Sequence, residues 1–538
     1  MTTAHDLLRD ALGPKWAAEF DRPAEEHASS PVASTQIDNE EDEQKPSKAM
    51  RLAQALEEAY QFVHRKNSQD VYYAISNETL DRPILVRENG SGLRQVATVL
   101  SVEKLGTHSG AQTVADACSL VAARLALKRI STEERIIGLR SQVIRAASGG
   151  IKEIVIDLAE PNTRRVIVVD RCGWRVQSDH PEISFRLTEQ IRPLPNPEGV
   201  TASYDSLWDI LAFGEDTRER DLIRGWLINA FISDEERPML FFDGPAGSGK
   251  TTRASAILQA INPPPLDGEG SPMVGPRLSC NIPNEQVKAA SEYLVSYDNL
   301  GPVVNRDASD YISRLVTGDV IQKRAHYTND HLFELAYKRT GILTGISIPN
   351  FSADAHQRLI PIHLHVITPS QRKAKSNLWG SYVSRSGEVL AAILEDLVWV
   401  IKSQRMQPQK HPRWAGFYSN QWRLDQALGT SLGSSYLESI QNSRGEQAHN
   451  DLLVQTVKDA VERGGGKVEA SNKGQLKDTI YEICDADTKK ELPDTKHKFA
   501  DAITLNQDLF RAVGIEYRES RTSKSRTFGF YQVANADD

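Results

Sequence analysis

Met239-Leu240-Phe241-Phe242, followed by Asp243-Gly244-Pro245-Ala246-Gly247-Ser248-Gly249-Lys250-Thr251-Thr252, is the stretch on which the fold turns. The four apolar residues read as a short buried strand, and the run through Ile257 and Leu258 reads as a helix. Between them stands GxxxxGKT, with a strand before it and a helix after it, the setting the motif requires. Its glycines let backbone N–H groups converge on phosphate oxygens, and the helix N-terminus adds a favourable dipole. Residues Gly244 to Thr252 are therefore expected to cradle the phosphates of ATP, through Gly244, Pro245, Ala246, Gly247, Ser248, Gly249, Lys250, Thr251 and Thr252. Lys250 should reach the β- and γ-phosphates, and Thr251 should ligate Mg²⁺.

The acidic partner follows in Tyr293-Leu294-Val295-Ser296-Tyr297, a buried-strand run ending in Asp298-Asn299. An acidic group at the carboxyl end of a neighbouring parallel strand is placed to hold Mg²⁺ through water, which assigns Asp298 to the metal. Asn299 can orient an attacking water but cannot accept its proton. Hydrolysis is then slow, or a base comes from elsewhere, with Glu292 as a candidate. Thr340 to Ile346 reads as another strand of the same sheet, where Thr344, or secondly Ser347, would sense the γ-phosphate. Arg358, just before the alternating strand Ile360 to His365, is a candidate arginine finger acting on a neighbouring subunit's ATP. His363 and His365 share a strand face, but with no third ligand nearby they read as a half-exposed strand, not a metal site.

The segment Leu315-Val316-Thr317-Gly318-Asp319-Val320-Ile321-Gln322-Lys323-Arg324-Ala325-His326-Tyr327 resembles the TGG-D-x-x-x-x-R/K stretch of superfamily 3 helicases, the hexameric AAA+ motors of viruses, phages and mobile elements. The resemblance spans roughly residues 203–366 and rests on the two nucleotide motifs and this stretch. It implies an α/β P-loop NTPase core of AAA+ type, a homo-hexameric ring with ATP at subunit interfaces, and a hairpin facing a central channel. Lys323, Arg324 and His326 would there contact single-stranded DNA; cations repeated around a ring make a track for phosphates independent of sequence. Thr344 departs from the family's sensor Asn, and the second Gly of Thr-Gly-Gly is replaced by Asp319 or deleted.

Around this core the 538 residues divide into an N-terminal helix and flexible acidic linker (1–48), an α+β domain of unassigned role (49–201) and a helical collar (202–237). The ATPase core (238–367), a helical region (368–448) and a winged-helix-like domain (449–538) complete the chain. Helical spacing is read at Leu52, Leu56, Tyr60 and Val63, and again over Ala111 to Ile130 and Glu133 to Ala147. Strands are expected at 71–75, 84–86, 153–158 and 165–169, with Asn89-Gly90 as a hairpin turn. Near the C-terminus, Phe499 to Val513 reads as a recognition helix, and Arg518, Arg521, Lys524 and Arg526 on a basic β-hairpin would contact duplex DNA, or the module would contact protein.

Composition narrows the class. With 39% hydrophobic and 25% charged residues the chain has ordinary cores, and 64 basic against 72 acidic residues exclude a histone-like coat. Four separated cysteines, Cys118, Cys172, Cys280 and Cys484, have neither zinc spacing nor the density of a disulfide framework, which points to a reducing cytoplasm. No stretch reads as a signal peptide or membrane span. The expected function is an ATP-driven DNA helicase or translocase of a phage or mobile element, with a primase, polymerase or other replication protein as partner through the N-terminal region. The alternative is a nucleotide-switched DNA-binding or loading ATPase, in replication initiation or defence, that does not unwind DNA.

Overall fold

The computed structural model describes residues 46–533 apart from 69–70, 80, 87–90, 187, 214–216, 269, 325–331, 368–373 and 522–525. The expected helix at 1–20, nearly all of the acidic linker, and the Asn89-Gly90 turn lie outside the described residues.

A helix over Lys48–Ala59 leads into β1 (Tyr60–Arg65), β2 (Tyr72–Ser76) and β3 (Ile84–Val86). Helices Ser91–Glu103 and Ala111–Ala126 precede β4 (Glu133–Gly138). Then come β5 (Ser141–Arg145), β6 (Ile151–Asp157), β7 (Val166–Asp170), β8 (Gly173–Gln177) and β9 (Ile183–Phe185). The first sheet has the order β3-β2-β1-β4-β9, and β5 to β8 form a second, antiparallel sheet in sequence order. Period-two alternation divides the first sheet: Phe62, Ala74 and Val86 pack under the three helices, while Val63, Tyr73 and Ile75 face the other way.

Two helical expectations fail here. The first helix stops at Ala59, so Tyr60 and Val63 lie on a strand, and Glu133 to Ala147 contains β4 and β5 instead of a helix. In both cases apolar spacing mimicked a helical period. The composition (Tyr60, Phe62 and Val63; Ile136, Ile137, Val143 and Ile144) is that of a half-buried pleated surface. The paired strands expected at 153–158 and 165–169 are present as β6 and β7.

Helices Asp205–Leu211 and Thr217–Ala230 lead to β10 (Met239–Asp243) and the helix Lys250–Ile261. Helix Ile282–Ser291 precedes β11 (Leu294–Leu300), and helix Arg306–Thr317 precedes the hairpin of β12 (Asp319–Arg324) and β13 (Leu332–Tyr337). Strands β14 (Thr340–Gly345) and β15 (Leu359–His363) complete a parallel sheet of order β11-β14-β10-β15. The protein is thus a mixed α/β fold around a parallel sheet. Met239, Leu240, Phe241 and Phe242 are fully buried, as a strand covered on both faces must be.

One apolar cluster runs from Leu139 to Tyr436, joining Ile154, Ile156 and Val169 of the antiparallel sheet to the parallel sheet and to Val389–Ile401. The division expected at 201/202 is therefore not a break in packing. Arg140 crosses it: fully buried, it donates to the carbonyls of Asp157 (2.8 Å) and Arg192 and to Asn262 Oδ1 (2.9 Å). Burial, only partly offset by Asp157, lowers its pKa to about 10.

After helices Lys375–Lys402, Ala415–Leu428 and Leu432–Asn450, the C-terminal unit has its own core. Its order is helix Leu452–Arg463, β16 (Lys467–Ala470), helix Lys473–Tyr481, short helix Ala486–Glu491, helices Lys496–Leu505 and Gln507–Ala512, β17 (Ile515–Arg521) and β18 (Arg526–Gln532). The strands pair as β16-β18-β17. The single helix expected over 499–513 is broken at Asn506, which ends one helix and starts the next. No helix among the described residues is long and apolar enough to cross a membrane.

Candidate functional site

The site is built at the carboxyl end of the parallel sheet. Strand β10 ends at Asp243, and the chain turns at once through Gly244, whose φ is 148°. A Cβ there would collide with the carbonyl oxygen of Leu364, so only glycine fits. Gly249 starts the following helix in the left-handed region, at φ 75°, leaving the first backbone N–H groups of that helix directed into the turn. Ser248 is fully buried, and its hydroxyl has no partner among the described residues. Lys250 folds back over the loop and donates to the carbonyls of Gly244 (2.6 Å) and Pro245 (2.9 Å). Partial burial lowers its pKa, while Asp298 and Asp243 act in the opposite sense, so both carboxylates lie within electrostatic range. Thr251 and Thr252 follow in the first turn of the helix, partly exposed.

Strand β14 separates β10 from β11 and carries the link between the two motifs. The fully buried Thr344 hydroxyl donates to Asp298 Oδ1 and accepts the backbone N–H of Asn299 at 2.9 Å. Asn299 has φ 56°, and the β11–β14 register shifts between Tyr297 and Leu300, so the chain turns out of the sheet just where the carboxylate stands. Thr344, read from the sequence as a phosphate sensor, has its hydroxyl committed to holding Asp298. Ser347 is exposed in the turn after β14, and Asn299 is exposed beside Asp298.

Register Asp243↔His363 places His363 on the neighbouring β15. Its Nδ1 lies 2.8 Å from Asp243, and its Nε2 lies 3.6 Å from Glu446. The hydrogen bond to Asp243 raises its pKa. An ion pair therefore accounts for His363, and no group of three or more His, Cys, Asp or Glu suited to a metal occurs among the described residues. A divalent ion here would rely on Thr251, Asp298, water and phosphate oxygens, a donor set that suits Mg²⁺.

Two expected residues stand at the wrong end of the sheet. Glu292 precedes β11, six residues and about 20 Å of extended chain from Asp298, so it cannot serve as the base. Burial raises its pKa to about 7. Arg358 precedes β15, and its carbonyl accepts Met239 N–H at 2.8 Å, which sets it at the amino end. Its side chain is buried, paired with Asp354 and held over the Trp414 ring at 5.8 Å. Packed in this way, Arg358 is not an exposed finger.

Lys323 and Arg324 lie on β12 opposite Phe333 and Leu332; their side chains, and all of His326, fall outside the described residues. On β17 and β18 the cations are largely paired: Arg518 with Glu516 at 2.6 Å and Arg526 with Glu519 at 2.9 Å. Lys473 first, then Arg526, pull Glu519 down to about 2. Arg521 is exposed, and Lys524 lies outside the described residues. Sequence reading passed over Lys496, His497 and Lys498, exposed in the first turn of the helix Lys496–Leu505, because that helix was placed from Phe499 onward.

Fold and site together define a mixed α/β protein with a glycine-rich loop and an acidic strand end brought to one end of a parallel sheet, here its carboxyl edge. A family model described as actinomycete integrative conjugative element replication protein matches residues 204–445, the part of the chain that contains this edge. Among solved structures, the apo C-terminal region of NrS-1 aligns over 91% of this chain and 100% of its own, at 11% identity and a TM-score of 0.38. A JCV helicase bound to an acetamide compound aligns over 43% of this chain and 73% of its own, at 14% identity and a TM-score of 0.19. Superpositions this loose leave the functional reading to the site and the family match. No curated protein matches the chain at a significant level.

Proposed function

We propose that the chain is an ATP-hydrolysing, ring-forming motor that moves along DNA during replication of a mobile element. The observation that carries this reading is the convergence of the Gly244–Thr252 loop and the Asp298–Thr344 pair at one end of three adjacent strands, β10, β14 and β11. The match of residues 204–445 to a replication protein of conjugative elements supports the biological setting. In this reading the loop N–H groups and Lys250 hold the phosphates, Thr251 and Asp298 hold Mg²⁺, and Thr344 fixes the carboxylate. The bound ion would neutralise charge developing on the phosphates. Asn299 would orient water. A second cation from a neighbouring copy belongs to the proposal; Arg358 supplies it only if it leaves Asp354. The β12–β13 hairpin, through Lys323, Arg324 and His326, would grip single-stranded DNA.

We read the C-terminal order of helix, strand, helices and two strands as a winged helix, and propose duplex contact there through Arg521 and the Lys496–Lys498 turn. Asn299 favours a second reading, a nucleotide-switched loader that assembles on DNA without unwinding it, because an amide cannot take the water's proton. Forked-DNA strand displacement with ATP separates the two. Displacement supports the motor; nucleotide-dependent DNA binding without displacement by an ATPase-competent chain selects the loader.

A further inference from the structure

At the amino end of the same parallel sheet a cleft of about 830 Å³ opens between that sheet and the open face of β3-β2-β1-β4-β9. Arg237, Tyr293 and Arg339, which immediately precede or nearly precede β10, β11 and β14, form its floor. Arg65 stands on the facing wall and Lys338 on the core side. Five cations line the cleft, Arg65, Arg186, Arg237, Lys338 and Arg339, against two carboxylates, Asp234 and Asp319. Those carboxylates are already engaged: Asp234 with Arg145 at 2.6 Å, and Asp319 with Gln286 at 2.8 Å and the Tyr337 hydroxyl at 3.1 Å.

The arginines are compensated mainly by neutral oxygens. Arg186 and Arg339 both donate to the Ala290 carbonyl, at 2.9 and 3.4 Å, so two guanidinium groups converge on one acceptor. Arg237 donates to the Ala230 carbonyl at 2.6 Å and lies over the Tyr293 ring at 5.6 Å. Only 3% of Arg237 is exposed, and its Nε has no partner among the described residues. Burial first, then the charges of Arg237 and Arg186, lower the Arg339 pKa to about 10. A plain structural role accounts for part of this, since cations stabilise the C-terminal carbonyls of the helix Ile282–Ser291. It does not account for Arg65 on the facing wall, nor for the unpartnered Arg237 nitrogen, while Lys338 opposite is met by a neutral oxygen, the Asp234 carbonyl at 3.1 Å.

The cleft is also continuous with the base of the β12–β13 hairpin, whose Gly318, Asp319, Val320, Ala336 and Tyr337 form one side. We infer that this cleft binds the phosphate backbone of a single DNA strand running to or from that hairpin. The inference rests on the DNA-motor reading and adds a second contact to it, outside the hairpin and on the N-terminal sheet. A strand held there is gripped by residues far apart in sequence, and the N-terminal unit becomes part of the track.

The test is binding of fluorescent oligo(dT) to the full chain over a salt series, comparing wild type with Arg65→Glu/Lys338→Glu. Losing two phosphate contacts should weaken binding at least tenfold. The slope of log affinity against log salt should become shallower by about 1.4, at roughly 0.7 per phosphate for single strands. Unchanged affinity and slope in a variant that melts at the wild-type temperature would overturn the inference and leave the motor reading standing. Should the reversal variant fail to fold, Arg65→Gln/Lys338→Gln is measured for the same change in slope. Weakened binding of free ATP with oligo(dT) binding intact would make the cleft a nucleotide site and also overturn it. A wild-type chain that does not bind oligo(dT) at all sinks the motor reading itself.

Discussion

The two ends of the parallel sheet are built in opposite ways. At the carboxyl end, small and neutral loop residues surround Lys250, which donates to two loop carbonyls, and two carboxylates, Asp243 and Asp298, stand near it. At the amino end, Arg237, Arg339 and Arg358 are packed into the protein with aromatic rings and carbonyls as partners. One end, in the proposed function, receives anionic groups on backbone N–H donors. The other has concentrated positive charge whose compensation comes mostly from dipoles. The two ends of one four-stranded sheet thus carry chemically distinct sets of groups, one local in sequence and one assembled from distant segments.

The largest effect expected is at the carboxyl end. Lys250→Ala removes the loop's cation and should lower steady-state phosphate release on the order of 10³-fold, the scale seen when one preorganised charge-stabilising donor is lost. Turnover at the wild-type rate would show that the loop is structural and erase the contrast between the ends.

Next comes the strand between the motifs. Thr344→Val leaves Asp298 without its hydroxyl donor and Asn299 N–H without its acceptor, and should cost about 10- to 100-fold in turnover, while Thr344→Ser retains most of it. If valine and serine behave alike, the hydroxyl is not what positions Asp298.

Arg358→Ala sharpens the comparison from the other end. Loss of the Asp354 pair and of packing on Trp414 should destabilise the fold by about 1–3 kcal/mol in denaturant titrations. A variant that is fully stable yet binds ATP without hydrolysing it would return Arg358 to the role of a finger that swings outward.

The most gradual effect, spread over more than about two pH units, concerns pH. Burial raises the Glu292 carboxyl to about 7, above its unfolded value near 4.3. Between those values the unfolded chain ionises first and binds fewer protons, so stability falls as pH rises, by no more than about 1.4 kcal/mol per pH unit. Glu292→Gln should flatten that part of the stability–pH curve. An unchanged curve would place the Glu292 carboxyl in a more hydrated setting.

What could be read in the sequence followed contiguity. Residues 239–252 announce strand, turn and helix because every element of the loop is local, and Asp298 follows from the same reasoning one strand further on. The hydrogen bond from Thr344 to Asp298 is not legible in the sequence because it depends on β14 lying between β10 and β11, an order that strand patterns do not reveal. Arg358 looked available because nothing near it in sequence suggested Trp414 as a cover. Glu133 to Ala147 reads as a helix on its apolar spacing, because nothing local shows that Arg140 is held, fully buried, by the oxygens of the distant Asp157, Arg192 and Asn262. The helix over 499–513 failed at one residue, Asn506, whose place as a junction depends on how the two short helices pack.

The interposed position of β14 has a metric consequence. Adjacent strands stand about 4.8 Å apart, so the strand that launches the glycine loop and the strand that ends in Asp298 are separated by about 10 Å. Direct contact between the loop and that carboxylate is thus not the resting design, and in the proposed function a chain of phosphates with a hydrated ion would span the gap. Because Thr344 is tied to Asp298 while its strand is hydrogen-bonded to β10, any change in that span must strain the middle strand. In the proposed function the sheet would work there as a gauge block, setting the length of what is gripped.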